Sequence, residues 1–146
     1  MTAGSTRRRL VGRLTVARTG ADAFRLFTQR GEREWADGWD PWFPEPEGDD
    51  TAPGTVFVTR SSGHEATWTV VERSADRSIR YARVVHGLDA GTVTVELAHA
   101  AANTPVTVTY DLTALTDLGH RHLEAFAAGY SGYIAEWEAK IAALPR

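Results

Sequence analysis

The sequence predicts an α+β fold in which a curved antiparallel sheet of about six strands wraps on one long C-terminal helix. Residues 10–17 alternate in the manner of a strand, and residues 55–113 contain five strand-like segments separated by short turns. After residue 116, apolar residues recur at spacings of three and four. Because such a meander cannot bury one face alone, the helix is its expected cover.

Residues 1–9 are predicted to form a flexible N-terminal tail, and residues 10–146 a single domain. The tail holds a charge run, Arg7-Arg8-Arg9, which is typical of a solvated segment. A weak contact with an anionic partner is the alternative for these arginines.

Two short helices are predicted after the first strand. Ala23, Phe24 and Phe27 supply the apolar side of the first, and Gly31 separates it from the second. The loop that follows, residues 37–53, is rich in Gly, Pro and Asp. It also contains three aromatic residues (Trp39, Trp42 and Phe43), so we expect it to fold back over an apolar surface.

The strand registers can be tested against one another, because a slip of one residue moves every side chain to the other face of the sheet. Four pairings agree on one concave face: Phe57 with Trp68, Val70 with Tyr81, Tyr81 with Val95, and Val95 with Val108. The predicted concave face consists of Phe57, Ala66, Trp68, Val70, Ile79, Tyr81, Arg83, Val85, Val93, Val95, Leu97, Val106, Val108, Tyr110 and Leu112.

Arg83 is the exception on this apolar face, and a buried guanidinium needs a partner. It can stack on the Trp68 indole, form an ion pair, or meet an anionic or carbonyl group of a ligand. The carboxylates considered for an ion pair are Glu32, Glu34 and Asp40. A register error that leaves Arg83 in solvent is a further alternative.

Composition excludes several classes of function. The 146 residues include no cysteine, which rules out disulfides, thiolate metal sites and cysteine nucleophiles. A net charge of −3 gives no basic field for nucleic acid. No apolar run reaches the ~20 residues of a membrane span, so we expect a cytoplasmic protein that does not insert into membranes.

The segments 23–28, 31–35 and 38–41 (AFRLFT, GEREW and GWDP) resemble the SRPBCC (START-related) superfamily. Residues 81–84 and 106–110 are similar to its strands, and the resemblance covers residues 10–144. It is strongest to bacterial polyketide cyclase/dehydrase-like and lipid-transport-like members. The resemblance implies a helix-grip fold that encloses a cavity for hydrophobic ligands between the sheet and the C-terminal helix.

The candidate ligand-binding residues follow from placing that cavity on this chain. They are Trp35, Trp39, Phe57, Trp68, Tyr81, Arg83, Tyr110, Phe126 and Tyr130, with Tyr133 close by and Trp35 and Trp39 near the mouth. Ligand pockets are mostly apolar and aromatic with a few polar groups that fix orientation. For any one of these aromatics alone, a place in a filled core is the favoured interpretation, and only the cluster together with the resemblance favours a cavity.

The sequence predicts no metal site and no cofactor. Its five histidines do not show the i, i+4 spacing of zinc helices, and no phosphate-binding or nucleophile-elbow motif occurs. Glu32 and Glu34 are two residues apart and face different ways, so we interpret both as solvated charges or as charges that stabilise a helix end. For catalysis, Arg83 would stabilise an enolate, while Tyr81, Tyr110 or Asp40 would move protons.

Three functions are compatible with this reading. The first is binding of a hydrophobic or amphipathic small molecule in the cavity. The second is a polyketide cyclase/aromatase- or hydratase-like enzyme that uses the same cavity. The third is a protein-interaction module of the chaperone-activator kind, which would use the outer sheet or the aromatic loop. The sequence leaves the oligomeric state open, a homodimer included.

Overall fold

The computed structural model describes residues 6–61, 63–99 and 101–145. Its six strands are β1 Arg7–Val16, β2 Val56–Ser61, β3 His64–Ser74, β4 Ser78–Val85, β5 Asp89–Leu97 and β6 Thr104–Ala114. Its helices are α1 Gly20–Leu26, a 3₁₀ helix Gly31–Glu34, α2 Asp117–Ala128 and α3 Tyr130–Ala142. The α+β class and the order of its elements are as predicted.

The strands form one antiparallel sheet in the order β1-β6-β5-β4-β3-β2. Strands β2 to β6 are the predicted meander, and β1 closes the other edge by pairing with β6. Helices α2 and α3 lie across one face, where α3 contacts β1 and α2 contacts β6. The apolar core lies between this face and the helices, which is the predicted helix-grip arrangement.

The predicted inward face is correct. Fourteen of its fifteen residues are buried, and Arg83 is half-buried. Phe57 lies opposite Trp68, Val70 opposite Tyr81, and Val95 opposite Val108, as the sequence predicts.

One register is wrong by two residues. Tyr81 lies opposite Val93 instead of Val95. The turn between β4 and β5 has only three residues, 86–88, because Gly87 takes a left-handed φ of 77°. A shift of two keeps every side chain on its predicted face, so the face is right although the pairing is not.

The first strand begins before the predicted boundary. Arg7, Arg8 and Arg9 are the first residues of β1 and are not part of a flexible tail. Arg7 makes a two-point contact with Asp111 on β6, with Nε–Oδ1 and Nη2–Oδ2 distances of 2.8 Å. Arg8 reaches Glu124 of α2 at 3.1 Å. Residues 1–5, where the rest of that tail was placed, lie outside the described residues.

The long C-terminal helix that the sequence predicts is two helices, α2 and α3, here together called the C-terminal rod. A single residue, Gly129, separates them. The α2 N-terminus is capped by Thr116, whose hydroxyl accepts from the Gly119 amide at 3.0 Å. Gly129 has the low helix propensity that allows a change of direction at this point.

Candidate functional site

A cavity of about 440 Å³ lies between the sheet and the helices. Eight of the nine predicted ligand-binding residues line it, and Tyr133 does as well. The eight are Trp35, Trp39, Phe57, Trp68, Tyr81, Arg83, Tyr110 and Phe126. Further lining residues that the sequence analysis did not select are Glu32, Leu123, Asp89 and Trp137.

Tyr130 is the one selected residue that does not line the cavity. Its hydroxyl donates to the Val108 carbonyl oxygen at 2.7 Å, which ties α3 to β6. Tyr130 occupies the first turn of α3, and its side chain is directed to the sheet and away from the open space. Helical periodicity correctly predicts that Tyr130 faces the sheet. It cannot distinguish a side chain that packs against the sheet from one that lines the cavity.

The tryptophans of the wall are held by hydrogen bonds within the protein. Trp35 Nε1 donates to the Leu26 carbonyl at 2.8 Å, and Trp39 Nε1 donates to the Gln29 carbonyl at 2.6 Å. Trp68 Nε1 donates to Thr59 Oγ1 at 2.9 Å. The three indole rings line the cavity, while their N–H groups are already used within the protein.

The loop after the 3₁₀ helix folds back as predicted, although not with all of its aromatics. Trp39 packs edge-on against Phe57 and Trp68, and Phe43 is buried against Phe57. Trp42 is 64% exposed and contributes a backbone bridge to Val58 at the edge of the sheet. Trp39 thus extends the cavity wall beyond the sheet, and Phe43 packs behind Phe57.

Arg83 is paired inside the protein. Its Nη1 lies 2.7 Å from Asp89 Oδ1, and its guanidinium carbon lies 5.5 Å from the centre of the Trp68 ring. Stacking on Trp68 and an ion pair were both predicted, but none of the proposed carboxylates is the partner. Because the turn between β4 and β5 has only three residues, Asp89 is the first residue of β5 and lies diagonally across from Arg83.

Glu32 lies inside the cavity, which corrects its interpretation as a solvated charge. It is half-buried, and burial raises the pKa of its carboxyl group well above the usual value of 4.5. Within the described part of the chain, its side chain makes no hydrogen bond and no ion pair. The position of Glu32 could not be predicted from the sequence, because its two-residue spacing from Glu34 is also typical of acidic residues on a surface.

The position of Glu32 depends on a close approach at Gly31. A Cβ at Gly31 would lie 1.8 Å from the Arg25 carbonyl oxygen, so the 3₁₀ helix can only abut α1 with glycine here. The Gly31 amide donates to Thr28 Oγ1, and the Glu32 amide donates to the Thr28 carbonyl. The predicted helix break at Gly31 thereby directs Glu32 into the cavity.

Tyr110 of β6 and Tyr133 of α3 bring two hydroxyl groups to the cavity wall, and their rings lie edge-on with centres 6.4 Å apart. After burial, the interaction with Tyr133 is the next cause of the raised pKa of Tyr110. Burial is the main reason that the pKa of both tyrosines is raised. The charges of Arg83 and Glu32 act on both hydroxyls, Arg83 lowering and Glu32 raising their pKa.

Two predicted proton carriers are not placed for that role. Tyr81 lines the cavity with its ring, but its hydroxyl donates to the Phe27 carbonyl at 3.3 Å and the Gln29 amide oxygen at 3.2 Å. Asp40 is exposed and lies 3.4 Å from Arg33. Four described residues besides Glu32 line the cavity and have a raised pKa: Tyr81, Tyr110, Tyr133 and Lys140. Because Tyr81 is hydrogen-bonded to Phe27 and Gln29 and Lys140 is paired with Asp37, the candidates for proton transfer are Glu32, Tyr110 and Tyr133.

The histidines provide no metal site in the described residues, where no group of three or more His, Cys, Asp or Glu could hold an ion. His64 and His122 meet at the cavity wall with ring centres 5.3 Å apart. No helix of the described chain has the length and apolarity that crossing a bilayer requires.

Comparison with solved structures places this architecture among known proteins. Protein MLL2253 from Mesorhizobium loti is 15% identical, with a TM-score of 0.70 over 95% of this chain and 100% of its own. Norcoclaurine synthase from Thalictrum flavum is 10% identical, with a TM-score of 0.65 over 92% of this chain and 84% of its own. CalU16 from Micromonospora echinospora is 15% identical, with a TM-score of 0.61 over 94% of this chain and 87% of its own. At these identities the likeness concerns the fold.

No curated protein matches the chain by sequence similarity. A family does match it, over residues 7–136, and this match includes the first strand, the 3₁₀ helix that carries Glu32, the meander and most of the C-terminal rod. The resemblance to SRPBCC proteins is therefore confirmed, and the chain belongs to the polyketide cyclase/dehydrase and lipid transport family.

Proposed function

We propose that this protein binds an amphipathic small molecule in the cavity between the sheet and the C-terminal helices. The observation that carries the proposal is the cavity itself, about 440 Å³ walled by aromatic rings around a small polar centre. A ligand with an apolar body fits such rings, and one polar end can meet Glu32 or the Tyr110–Tyr133 pair.

The proposal is tested by native mass spectrometry of protein purified from its own host. We expect a bound small molecule in the wild type and its loss in Val93→Phe, since Val93 lines the cavity and the larger ring would fill it. Val84→Phe is the matched control, because Val84 lies on the outer face and is 45% exposed. The proposal is wrong if no co-purified mass is found and the neutral probe N-phenylnaphthylamine shows no saturable binding.

A second candidate is an enzyme that acts on a carbonyl compound in the same cavity. It is favoured by the meeting of an acid with a raised pKa, two tyrosine hydroxyls and the charge of Arg83. Enolisation needs a group that moves a proton at carbon and a group that stabilises the developing oxyanion. Glu32 would serve as the first and a tyrosine hydroxyl as the second.

This candidate is tested by deuterium exchange at the α-carbon of an aromatic β-diketone, followed by NMR. We expect exchange to be faster with the wild type than with Glu32→Gln, and unchanged in Glu34→Gln, since Glu34 is exposed on the same 3₁₀ helix. Equal exchange rates in all three proteins would exclude this activity for Glu32.

The protein-interaction alternative predicts a closed aromatic core. The cavity is open in the structure, so this alternative receives no support from the described residues.

A further inference from the structure

The cavity wall has a charge imbalance. Its cationic side chains are already paired: Arg83 with Asp89 at 2.7 Å, Lys140 with Asp37 at 2.8 Å, and Arg60 with Glu65 at 3.8 Å. Two acidic lining residues, Glu32 and Glu136, have no hydrogen bond or ion pair within residues 6–61, 63–99 and 101–145. The uncompensated charge that the wall can present to a ligand is therefore negative.

Glu32 and Glu136 differ in their surroundings. Glu136 is exposed on α3, where water solvates it, whereas Glu32 is half-buried. Glu32 lines the cavity together with Tyr81, Tyr110 and Tyr133, so its carboxyl group lies among aromatic residues. An isolated carboxylate in such a place is poorly solvated, so it gains most from a partner of opposite charge.

The rings around Glu32 favour the same kind of partner. Aromatic faces carry negative electrostatic potential and attract cations within about 6 Å of the ring centre. The cavity is lined by Trp35, Trp39, Trp68, Tyr81, Tyr110, Phe126, Tyr133 and Trp137. One of these faces is already used in this way, since the Arg83 guanidinium lies 5.5 Å from the Trp68 ring centre.

We propose that the ligand of this cavity carries a protonated amine and that the Glu32 carboxylate is its counter-ion. This inference rests on the proposed binding function and names the class of ligand: an apolar or aromatic body with one ammonium group. An anionic ligand group would have to compete with Asp89 for Arg83 and would lie in a wall whose remaining charge is negative.

The pairing has a defined pH dependence. Burial keeps the Glu32 carboxyl protonated above its usual range, so an ammonium ligand must displace that proton to form the ion pair. Affinity therefore rises as pH increases, until the amine itself loses its proton near pH ~10, the range of a primary amine. A carbonyl ligand would instead accept a hydrogen bond from the protonated acid, and its affinity would fall as pH increases.

Other titratable groups around the cavity must be considered in this test. Those on the sheet and its turns are Arg60, His64, Tyr81, Arg83, Asp89 and Tyr110; those on α2, α3 and the loop are His122, Tyr133, Glu136, Lys140 and Asp37. The pKa of each of the three tyrosines is raised, so they remain neutral between pH 6 and 8. The two histidines are the same in the wild type and in the variants below, so the variants separate the contribution of the histidines from that of Glu32.

The experiment compares two matched probes, 2-(naphthyl)ethylamine and 2-(naphthyl)ethanol, by calorimetry at pH 6 and pH 8. At pH 8 we expect the wild type to prefer the amine by about 10- to 100-fold, the factor that a charge-assisted hydrogen bond supplies. Glu32→Gln should lose this preference while still binding the alcohol. Glu34→Gln should retain it, because Glu34 is exposed on the same 3₁₀ helix and does not line the cavity.

Each alternative outcome has a defined meaning. Four outcomes would overturn the assignment of an amine ligand. The first two are equal affinities for the two probes and a preference for the amine that Glu32→Gln retains. The others are a preference that Glu34→Gln loses as fully as Glu32→Gln, and an amine affinity that falls between pH 6 and pH 8. Binding of the alcohol would still support the cavity as a binding site. If neither probe binds, the proposed binding function fails together with the inference.

Discussion

At the scale of single residues, the cavity wall combines apolar rings with a few polar groups whose partners are specific. Trp68 shows the apolar part: it is 7% exposed, stacks on Phe57 with ring centres 5.5 Å apart, and donates its N–H to Thr59. Arg83 and Asp89 show the polar part, in which each charge is stabilised by the other.

Trp68→Ala is expected to lower the free energy of unfolding by ~3–5 kcal/mol, the usual cost of deleting a buried large aromatic side chain. The measurement is urea unfolding followed by far-UV circular dichroism. Trp42→Ala is the control, since Trp42 is 64% exposed, and its change should stay within ~0.5 kcal/mol. Similar values for the two variants would contradict the burial of Trp68.

Removal of Arg83 should destabilise the protein because Asp89, which is 6% exposed, would be left without its partner. Arg83→Leu is expected to cost about 2–4 kcal/mol, somewhat below the value for a fully dry pair because the cavity admits water. The double variant Arg83→Leu with Asp89→Asn should regain part of this loss in urea unfolding, because no charge then remains unpaired.

The same variants decide whether Arg83 also contacts ligand. If Arg83 is structural, the double variant should bind N-phenylnaphthylamine with wild-type affinity. A loss of affinity that persists after stability is restored would assign Arg83 a direct contact.

At the scale of elements, short connections decide where functional groups are placed. The 3₁₀ helix Gly31–Glu34 is only four residues long, yet it directs Glu32 into the cavity because Gly31 abuts the end of α1. The three-residue turn before β5 similarly brings Asp89 to the diagonal position beside Arg83.

Gly31→Ala should therefore disturb both stability and ligand binding. The added Cβ would lie 1.8 Å from a backbone oxygen, so the 3₁₀ helix must move. We expect a loss of about 1–3 kcal/mol, as for other overpacked sites. Gly20→Ala is the matched control in α1, where a Cβ meets nothing within 4 Å. A Gly31→Ala protein with wild-type stability in thermal unfolding would show that the close approach is not required.

At the scale of the whole molecule, the sheet and the C-terminal helices enclose a space that they do not fill, and an acid lies within it. This arrangement makes stability depend on pH. The pKa of Glu32 is higher in the folded protein than the ordinary value of 4.5. At pH values above 4.5 and below the folded pKa, the unfolded chain binds fewer protons than the folded chain, so stability falls as pH rises.

Glu32→Gln is expected to remove this dependence. The variant and the wild type should have similar free energies of unfolding at pH 4. At that pH the Glu32 carboxyl group of the wild type is mostly protonated in both the folded and the unfolded state. At pH 8 the variant should be the more stable protein. The comparison requires urea unfolding at both pH values. A wild type that loses no stability relative to Glu32→Gln between them would contradict the raised pKa.

The amino-acid sequence by itself determined the elements, the inward face of the sheet and the family. The elements and the inward face follow from local periodicity: alternation places Trp68, Tyr81 and Tyr110 on one face, and a two-residue register error leaves that face unchanged. The family follows from the resemblance of segments 23–28, 31–35 and 38–41 to SRPBCC proteins. The partners of charged side chains were decided only by the tertiary structure. Asp89 and Glu32 acquire their roles from a tight turn and a close helix contact, and such geometry depends on backbone approach in three dimensions, which no periodicity encodes.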